Sequence, residues 1–249
     1  MAPGIGNVIL PTVSIQHTKQ PLPQRRQTTL YHHSQITTDS DALQFEAAAS
    51  RQLKLHDGNS NDTQSPEENL LITSPYNSPT HLLDLTTLDT ANQLFAKALT
   101  IFTPIRPDYA VAPYLESFNW AAVFSFLREL SQAEWYHFPR TSFYVVAFRS
   151  RLFPDADGDR LGLLDDYSHR EATESGGLLK YWYGRKDGEY RNLATCLWKS
   201  REHARNGGMG PWHQKARAAG REMYEKIEFT TMELFVEDDV SGWEMRDWS

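Results

Sequence analysis

The chain has 249 residues, 40% of them hydrophobic, and a formal net charge of −7. That length suits one large or two modest domains, and the apolar content is enough for a core. The acidic balance excludes a general nucleic-acid binder, because neutralising phosphates needs a basic surface.

Tyr31 and Phe45 are the only aromatic residues among the first 70, so the globular part is expected to begin near residue 70. Residues 1–69 read as a flexible polar arm and linker. Lys19, Arg25 and Arg26 precede the first acidic residue, Asp39. Low acidity of this kind occurs in mitochondrial presequences, but Pro11, Pro21 and Pro23 interrupt any amphipathic helix. The expectation is a disordered arm on a cytoplasmic protein, with mitochondrial import as the lesser alternative. Ala42–Leu55 has a thin apolar face and is a helix candidate, and Asp57–Glu68 is a linker by composition.

Residues 70–140 read as a helical extension. Pro75 to Pro79 form a turn cluster. Asp89 or Thr90 caps a helix reaching Phe102, with Leu94, Ala98 and Ile101 at i, i+4 and i+7. Pro104 and Pro107 stop it. A second helix is expected from about Ser117 to Gln132, where Trp120, Val123, Phe124, Leu127 and Leu130 keep the helical period. Both helices need apolar surface to cover, and the sheet that follows is the candidate.

Residues 141–249 read as an α+β module. Strands are expected over 142–149, 178–184, 191–198 and 229–236, with helices over 160–175 and 211–225. The order β-α-β-β-α-β predicts an antiparallel sheet with both helices on one face. Gly176-Gly177 stop the first helix, and Arg185–Gly188 form a hairpin turn. Lys180, Arg185, Lys186 and Arg191, interrupted by Asp187 and Glu189, read as that hairpin's solvated rim. Ser200 caps a short helical turn, and Pro211 suits the first position of the second helix. Leu161, Leu164, Ser168 and Ala172 share one face of the first helix, Asp165 and His169 flank it, and Tyr167 points away. Trp212, Ala216, Ala219 and Met223 form a stripe on the second helix that is expected to face the sheet, with His213 and Gly220 on its flank. The lone cysteine, Cys196, excludes an intramolecular disulfide, fits a reducing compartment and reads as a small buried hydrophobe. No apolar stretch approaches the roughly 18 residues of a membrane span, so no membrane partner is expected.

The strand order, the run Leu197-Trp198-Lys199-Ser200 and the run Gly210-Pro211-Trp212-His213 resemble the dimeric α+β barrel superfamily. Its members include cofactor-free monooxygenases, polyketide cyclases, hydroxynitrile lyases, chlorite dismutases and haem-degrading enzymes. The resemblance implies a ferredoxin-like fold, a pocket between sheet and helices, and a homodimer through the sheet face. The N-terminal helices are a departure from that pattern. The stretches HLLDLTTLDTANQLFAKALT, YLESFNW, SGGLLKYWYG, RNLATCLWKSREHARNGGMGPWH and GWEMRDW are more specifically similar to a fungal family of unknown function, over roughly residues 70 to 249. That similarity brings no activity with it.

His213 is the first site candidate, because a neutral imidazole at a pocket wall can move a proton near pH 7. The alternative is that it caps the preceding glycine-rich loop. Tyr181 or Tyr183 would be its hydrogen-bond partner. His169 could line the same pocket or lie exposed. Trp198, Trp182 and Trp212 are candidates to contact a flat apolar substrate. Asp155, Asp157, Asp159 and Asp166 mimic a calcium loop, but Arg160 stands where that loop needs glycine, so an acidic turn with a helix N-cap is the better reading. The pair His32-His33 has no third ligand nearby, and no phosphate loop, nucleophile elbow or Cys/His metal spacing occurs, so neither metal nor cofactor is expected. These features describe a cofactor-independent enzyme for proton transfer, cyclisation or lyase chemistry, or oxygenation, acting on a small apolar metabolite. The alternative is a non-catalytic ligand-binding or scaffolding protein of the same fold.

Overall fold

A computed structural model describes residues 69–248. The arm, the linker, the Ala42–Leu55 helix candidate and the pair His32-His33 lie outside the described residues.

The first described segment is a strap. Its short strands β1 (Leu70–Leu71) and β2 (Leu83–Asp84) pair antiparallel, with a 3-10 turn at Pro79–His81 between them. Helix α1 (Thr90–Ala98) starts where the Asp89 carboxylate accepts the Asn92 amide, as an N-cap should. A 3-10 turn at Leu99–Ile101 extends it to Phe102, ahead of Pro104. After the short helix α2 (Tyr114–Ser117) comes α3 (Trp120–Ala133). Trp120, Val123, Phe124, Leu127 and Leu130 are all buried there, the face that the helical period marks.

The sheet contains β3 (Thr141–Leu152), β4 (Leu178–Tyr183), β5 (Arg191–Trp198), β6 (Tyr224–Val236) and β7 (Trp243–Asp247). Its order is β4-β5-β3-β6-β7, and every pairing is antiparallel. Helix α4 (Gly158–Glu174) links β3 to β4, while α5 (Arg201–Gly207) and α6 (Pro211–Met223) link β5 to β6. The first strand of the module thus lies between the third and the fourth, which is the ferredoxin-like α+β arrangement. The edge strand β7 is an addition to the four strands read from the sequence. In the segment Trp243–Asp247, Trp243 and Met245 alternate with Glu244 and Arg246, a strand signal only four residues long, and it pairs because β6 continues far enough to receive it.

Alternation along the strands gives the sheet two different faces. On one, Phe143, Val145, Leu193, Leu197, Leu234 and Val236 meet α1 and α3 in a single core that includes Phe95, Phe124 and Leu127. The N-terminal helices therefore cover sheet surface, as their apolar stripes required. On the other face, Tyr144, Leu178, Tyr181 and Trp198 pack against Ala172 of α4 and Ala204 of α5.

One expectation about the helices needs correction. The stripe of α6 does not lie on the sheet. Ala219 and Met223 pack with Leu164, Leu161 and Ala156, so the stripe seats on α4. Tyr167, which points away from the apolar face of α4, stacks on Trp212 of α6 at 4.0 Å. Small Ala216 and Ala219 let the two helices approach closely enough for that stack. Gly176 and Gly177 end α4 with φ of 82° and 75°, the left-handed conformation that glycine adopts at no steric cost. At Gly177 a side chain would also meet the His203 ring, with a Cβ only 2.5 Å from it. Asp157 caps α4 by accepting the Arg160 amide, so the acidic turn acts as a helix start.

Candidate polar site under the strap

Where the strap crosses α4 and β4, five aromatic rings gather: Tyr76, His81, His169, Tyr181 and Tyr183. Tyr76 stacks on His81 at 4.7 Å, and His81 lies 4.9 Å from His169. His169 lies 5.3 Å from Tyr181, which lies 5.8 Å from Tyr183. Two local facts place them. Asp165 and His169 are one helical turn apart on α4, on the flank facing β4. The strap is pinned along the edge of β4 by the Tyr181 amide donating to the Thr73 carbonyl at 2.9 Å.

The Asp165 carboxyl is clamped by two phenols. Tyr76 donates to one oxygen and Tyr181 to the other, both at 2.5 Å, the length of a charge-assisted O–H···O bond. Burial raises the Asp165 pKa, and Asp166 adds to that, while the two phenols and His213 oppose it; burial wins. Burial and the same carboxylate push both tyrosine pKa values far up, so the phenols stay protonated.

Beside this clamp, His81 and His169 face each other through their Nδ1 atoms at 2.7 Å. One of the two must donate and the other accept. Two groups meet His81 Nε2 at the far side of the ring: Arg170 Nε–H at 3.3 Å, which needs it as an acceptor, and Asp166 Oδ1 at 3.4 Å, which needs it as a donor. The direction of the His81–His169 bond follows from which of these two groups His81 Nε2 bonds. Asp166 balances the guanidinium at 2.7 Å. His169 Nε2 is buried and has no hydrogen-bond partner among the described residues. Burial, helped by His81 and His213, lowers the His169 pKa to about 3, so the ring is neutral at pH 7. Burial lowers His81 as well, although Asp166 pulls the other way.

His213 opens α6 next to this cluster. Its Nδ1 meets Glu171 Oε2 at 3.1 Å, and the amides of Trp212 and His213 donate to the same carboxylate at 2.7 and 3.1 Å. Glu171 therefore caps α6 from the neighbouring helix. Burial alone would raise the Glu171 pKa, but these donors hold it below the usual carboxylate range. Gly210 makes the approach possible, since a Cβ there would sit 2.3 Å from Glu171. The pair turns Nδ1 of the imidazole toward the carboxylate and leaves Nε2 pointing away from it, and the His213 side chain is 25% exposed.

The structure brings His169, Tyr181 and Tyr183 together on one flank of α4. It does not place His213 there, because its partner Glu171 is about 200° round the helix from His169. It separates the tryptophans. Trp198 is buried against Tyr144 and Tyr181 and closes on Gly207, where a Cβ would be 2.3 Å from its ring. Trp212 lies outside on Tyr167, with Lys215 over its ring at 3.7 Å. Trp182 points through the sheet to the other face, edge-on to Phe118 and Tyr109. Cys196 is part-buried in the tyrosine layer, and burial pushes its thiol pKa up, so it stays protonated. The residues that sequence reasoning missed are Tyr76, His81, Asp166 and Glu171. Tyr76 and His81 are 89 and 88 positions from their partners, beyond any local pattern. A hollow of about 480 Å³ lies elsewhere, on the N-terminal face of the sheet between Tyr114, Ala147, Arg149, Met232 and Met245. No group of three or more His, Cys, Asp or Glu side chains among the described residues could hold a metal ion. Among the same residues, no helix is long and apolar enough to cross a membrane.

Fold and site together define a ferredoxin-like α+β protein with an added helical layer and a buried Tyr–Asp–Tyr and His–His cluster. The chain belongs to the PB2B2.08-like family, whose model matches residues 72–247. One relative is the UPF0643 protein PB2B2.08 of Schizosaccharomyces pombe (strain 972 / ATCC 24843). It is 38% identical over 190 residues, which span 73% of this chain and 86% of the relative. Among solved structures, Rv0793 from Mycobacterium tuberculosis is 20% identical, covering 36% of this chain and 92% of that one, with a TM-score of 0.32. SnoaB, a cofactor-independent oxygenase from Streptomyces nogalater, is 11% identical, covering 36% of this chain and 90% of that one, with a TM-score of 0.31. Neither likeness speaks to activity in this chain.

Proposed function

We propose that the protein is a cofactor-independent enzyme acting on a small, flat, apolar metabolite, with His213 as general base and the cluster under the strap as its proton-holding wall. The observation that supports this is the concentration of shifted groups on one flank of α4: a raised carboxyl, a lowered imidazole and two phenols fixed as donors. Glu171 orients His213 as a second carboxylate–imidazole unit, and a phenol or an acidic C–H is what such a base deprotonates near pH 7. Proton transfer is the core of the proposed chemistry; cyclisation, elimination or oxygenation would follow from the substrate's own reactivity. Action in the reducing cytoplasm fits the single cysteine.

The second reading, a ligand-binding or scaffolding protein without turnover, is favoured by one specific fact. The layer between helices and sheet is filled by Tyr144, Trp198 and Tyr181.

The test uses 1-naphthol and 1,8-dihydroxyanthrone as flat phenolic probes, with tryptophan fluorescence for binding and an oxygen electrode plus chromatography for turnover. The enzyme reading expects binding with turnover, and His213→Ala losing turnover at least about 100-fold while its stability changes by less than about 1 kcal/mol. Binding without turnover, unaffected by that substitution, establishes the second reading. Unfolding of His213→Ala assigns the residue to the hydrogen-bond network of the α6 start.

A further inference from the structure

Among the described residues, strand β7 ends the sheet, and its outer edge is self-complementary. The ladder to β6 fixes which backbone groups remain for that edge. The Trp248 amide donates to Thr231 and the Glu237 amide to Gly242, so within β7 the groups of Glu244 and Arg246 face β6. By antiparallel alternation, the N–H and C=O of Trp243, Met245 and Asp247 face outward. An exposed row of this kind is a template for another strand.

We propose that a second copy of this chain pairs there, β7 to β7, antiparallel about a two-fold axis at Met245. In that register Met245 exchanges both of its hydrogen bonds with the partner copy's Met245, and Trp243 exchanges both with the partner copy's Asp247. Every outward N–H finds a carbonyl. Glu244 then lies directly opposite the partner copy's Arg246, as a non-hydrogen-bonded pair whose Cα atoms are about 4.5 Å apart, the closer of the two spacings. Both side chains are more than half exposed and already bond each other within one chain, through Arg246 Nε and Glu244 Oε1 at 2.7 Å. Pairing would close them into a ring of four alternating charges.

No other symmetric register does this. A slip of one residue sets outward groups against ones committed to β6. A two-fold centred on Trp243 or Asp247 leaves both Glu244 and Arg246 without an opposite charge. Charged residues ordinarily keep sheet edges apart; here the signs match when the strand meets itself. The interface is isologous, extends the sheet across two chains, and involves neither covered sheet face. The ladder is short, so the dimer belongs to the weak, transient class of interface.

Sedimentation velocity on the full chain tests this, from about 1 to about 300 µM. The wild type should pass from monomer to dimer over that range. E244R and R246E each set like charges opposite one another and should raise the dimer Kd at least about tenfold. An equimolar mixture of these two variants should form a heterodimer, because each restores the other's missing sign. M245P removes an N–H that faces outward and so should abolish the dimer with the far-UV circular dichroism unchanged. A wild type that stays monomeric at about 300 µM overturns the proposal. So does a dimer indifferent to all three substitutions, or a mixture that does not associate. Should M245P fail to fold, the charge variants and their mixture decide alone.

Discussion

The two faces of the sheet solve the same burial problem with opposite chemistry. On the N-terminal side most contacts are apolar: Phe95 lies at 4.1 Å from Phe143 between ring centroids, and Leu127, Leu193, Leu197 and Leu234 are fully buried around it. The polar groups there are dispersed, with Lys180 buried and Thr195 bonded to Tyr114 at 2.7 Å. On the α4 side, aromatic rings are interleaved with a carboxyl, two imidazoles and two phenols that pair with one another, except at His169 Nε2. An apolar core of the first kind already supplies what folding requires. The polar cluster adds desolvation costs that close pairing has to offset, and a purely structural layer would not need them. That asymmetry is the reason to look for chemistry on the α4 side and for stability on the other.

The sharpest way to break the comparison is to damage each face in turn. Phe95→Ala should cost about 3–5 kcal/mol in urea unfolding, as expected for a fully buried aromatic whose cavity cannot collapse. A loss below about 1 kcal/mol would mean that α1 is only loosely seated on the sheet. On the polar side, Asp165→Ala leaves two phenol hydroxyls without their acceptor and should cost about 2–4 kcal/mol. Asp165→Asn keeps one acceptor and one group that can donate to a phenol oxygen, so it should recover most of that loss. Equal losses for both variants would show that the clamp depends on charge rather than on hydrogen-bond geometry.

How much of this was legible in the sequence follows the range of the interactions. The strand order, the α1 cap at Asp89, the apolar period of α3 and the glycine stop at Gly176-Gly177 are local signals, and local sequence carries them. The flank shared by Asp165 and His169 was also readable, since i and i+4 are neighbours on any helix. What covers that flank was not. Tyr76 and His81 reach it from a proline-rich turn that looks like punctuation, because nothing within a dozen residues of either names its partner. The α6 stripe shows a different limit. Periodicity identifies an apolar face but not what it meets, and helix on helix leaves the same pattern as helix on sheet. Strand β7 shows a related limit: the alternation of Trp243 and Met245 with Glu244 and Arg246 runs for only four residues, and only the length of β6 creates its place.

The finest test of the comparison is the pH dependence of stability. The His169 pKa falls from 6.5 to about 3 on folding because burial penalises its charged form. A depressed folded-state pKa means that the unfolded chain binds the proton more readily. Its contribution is therefore fully present above pH 6.5 and is lost as pH falls toward 3. His81 shifts in the same direction and adds to the slope. Asp165 shifts the opposite way: its raised pKa favours the folded state when the carboxyl is protonated, and that contribution is lost as pH rises through the folded value. Between about pH 4 and pH 6.5 each histidine adds a rise of stability with pH, and Asp165 opposes it. His169→Gln removes one titrating ring from under the strap and should flatten that rise, whereas Phe95→Ala should lower the whole curve and leave its slope alone. Urea unfolding at half-unit steps across this window distinguishes the two outcomes. An unchanged slope in His169→Gln would mean that the imidazole is not held neutral by burial, and the proton-holding role given to the cluster would go with it.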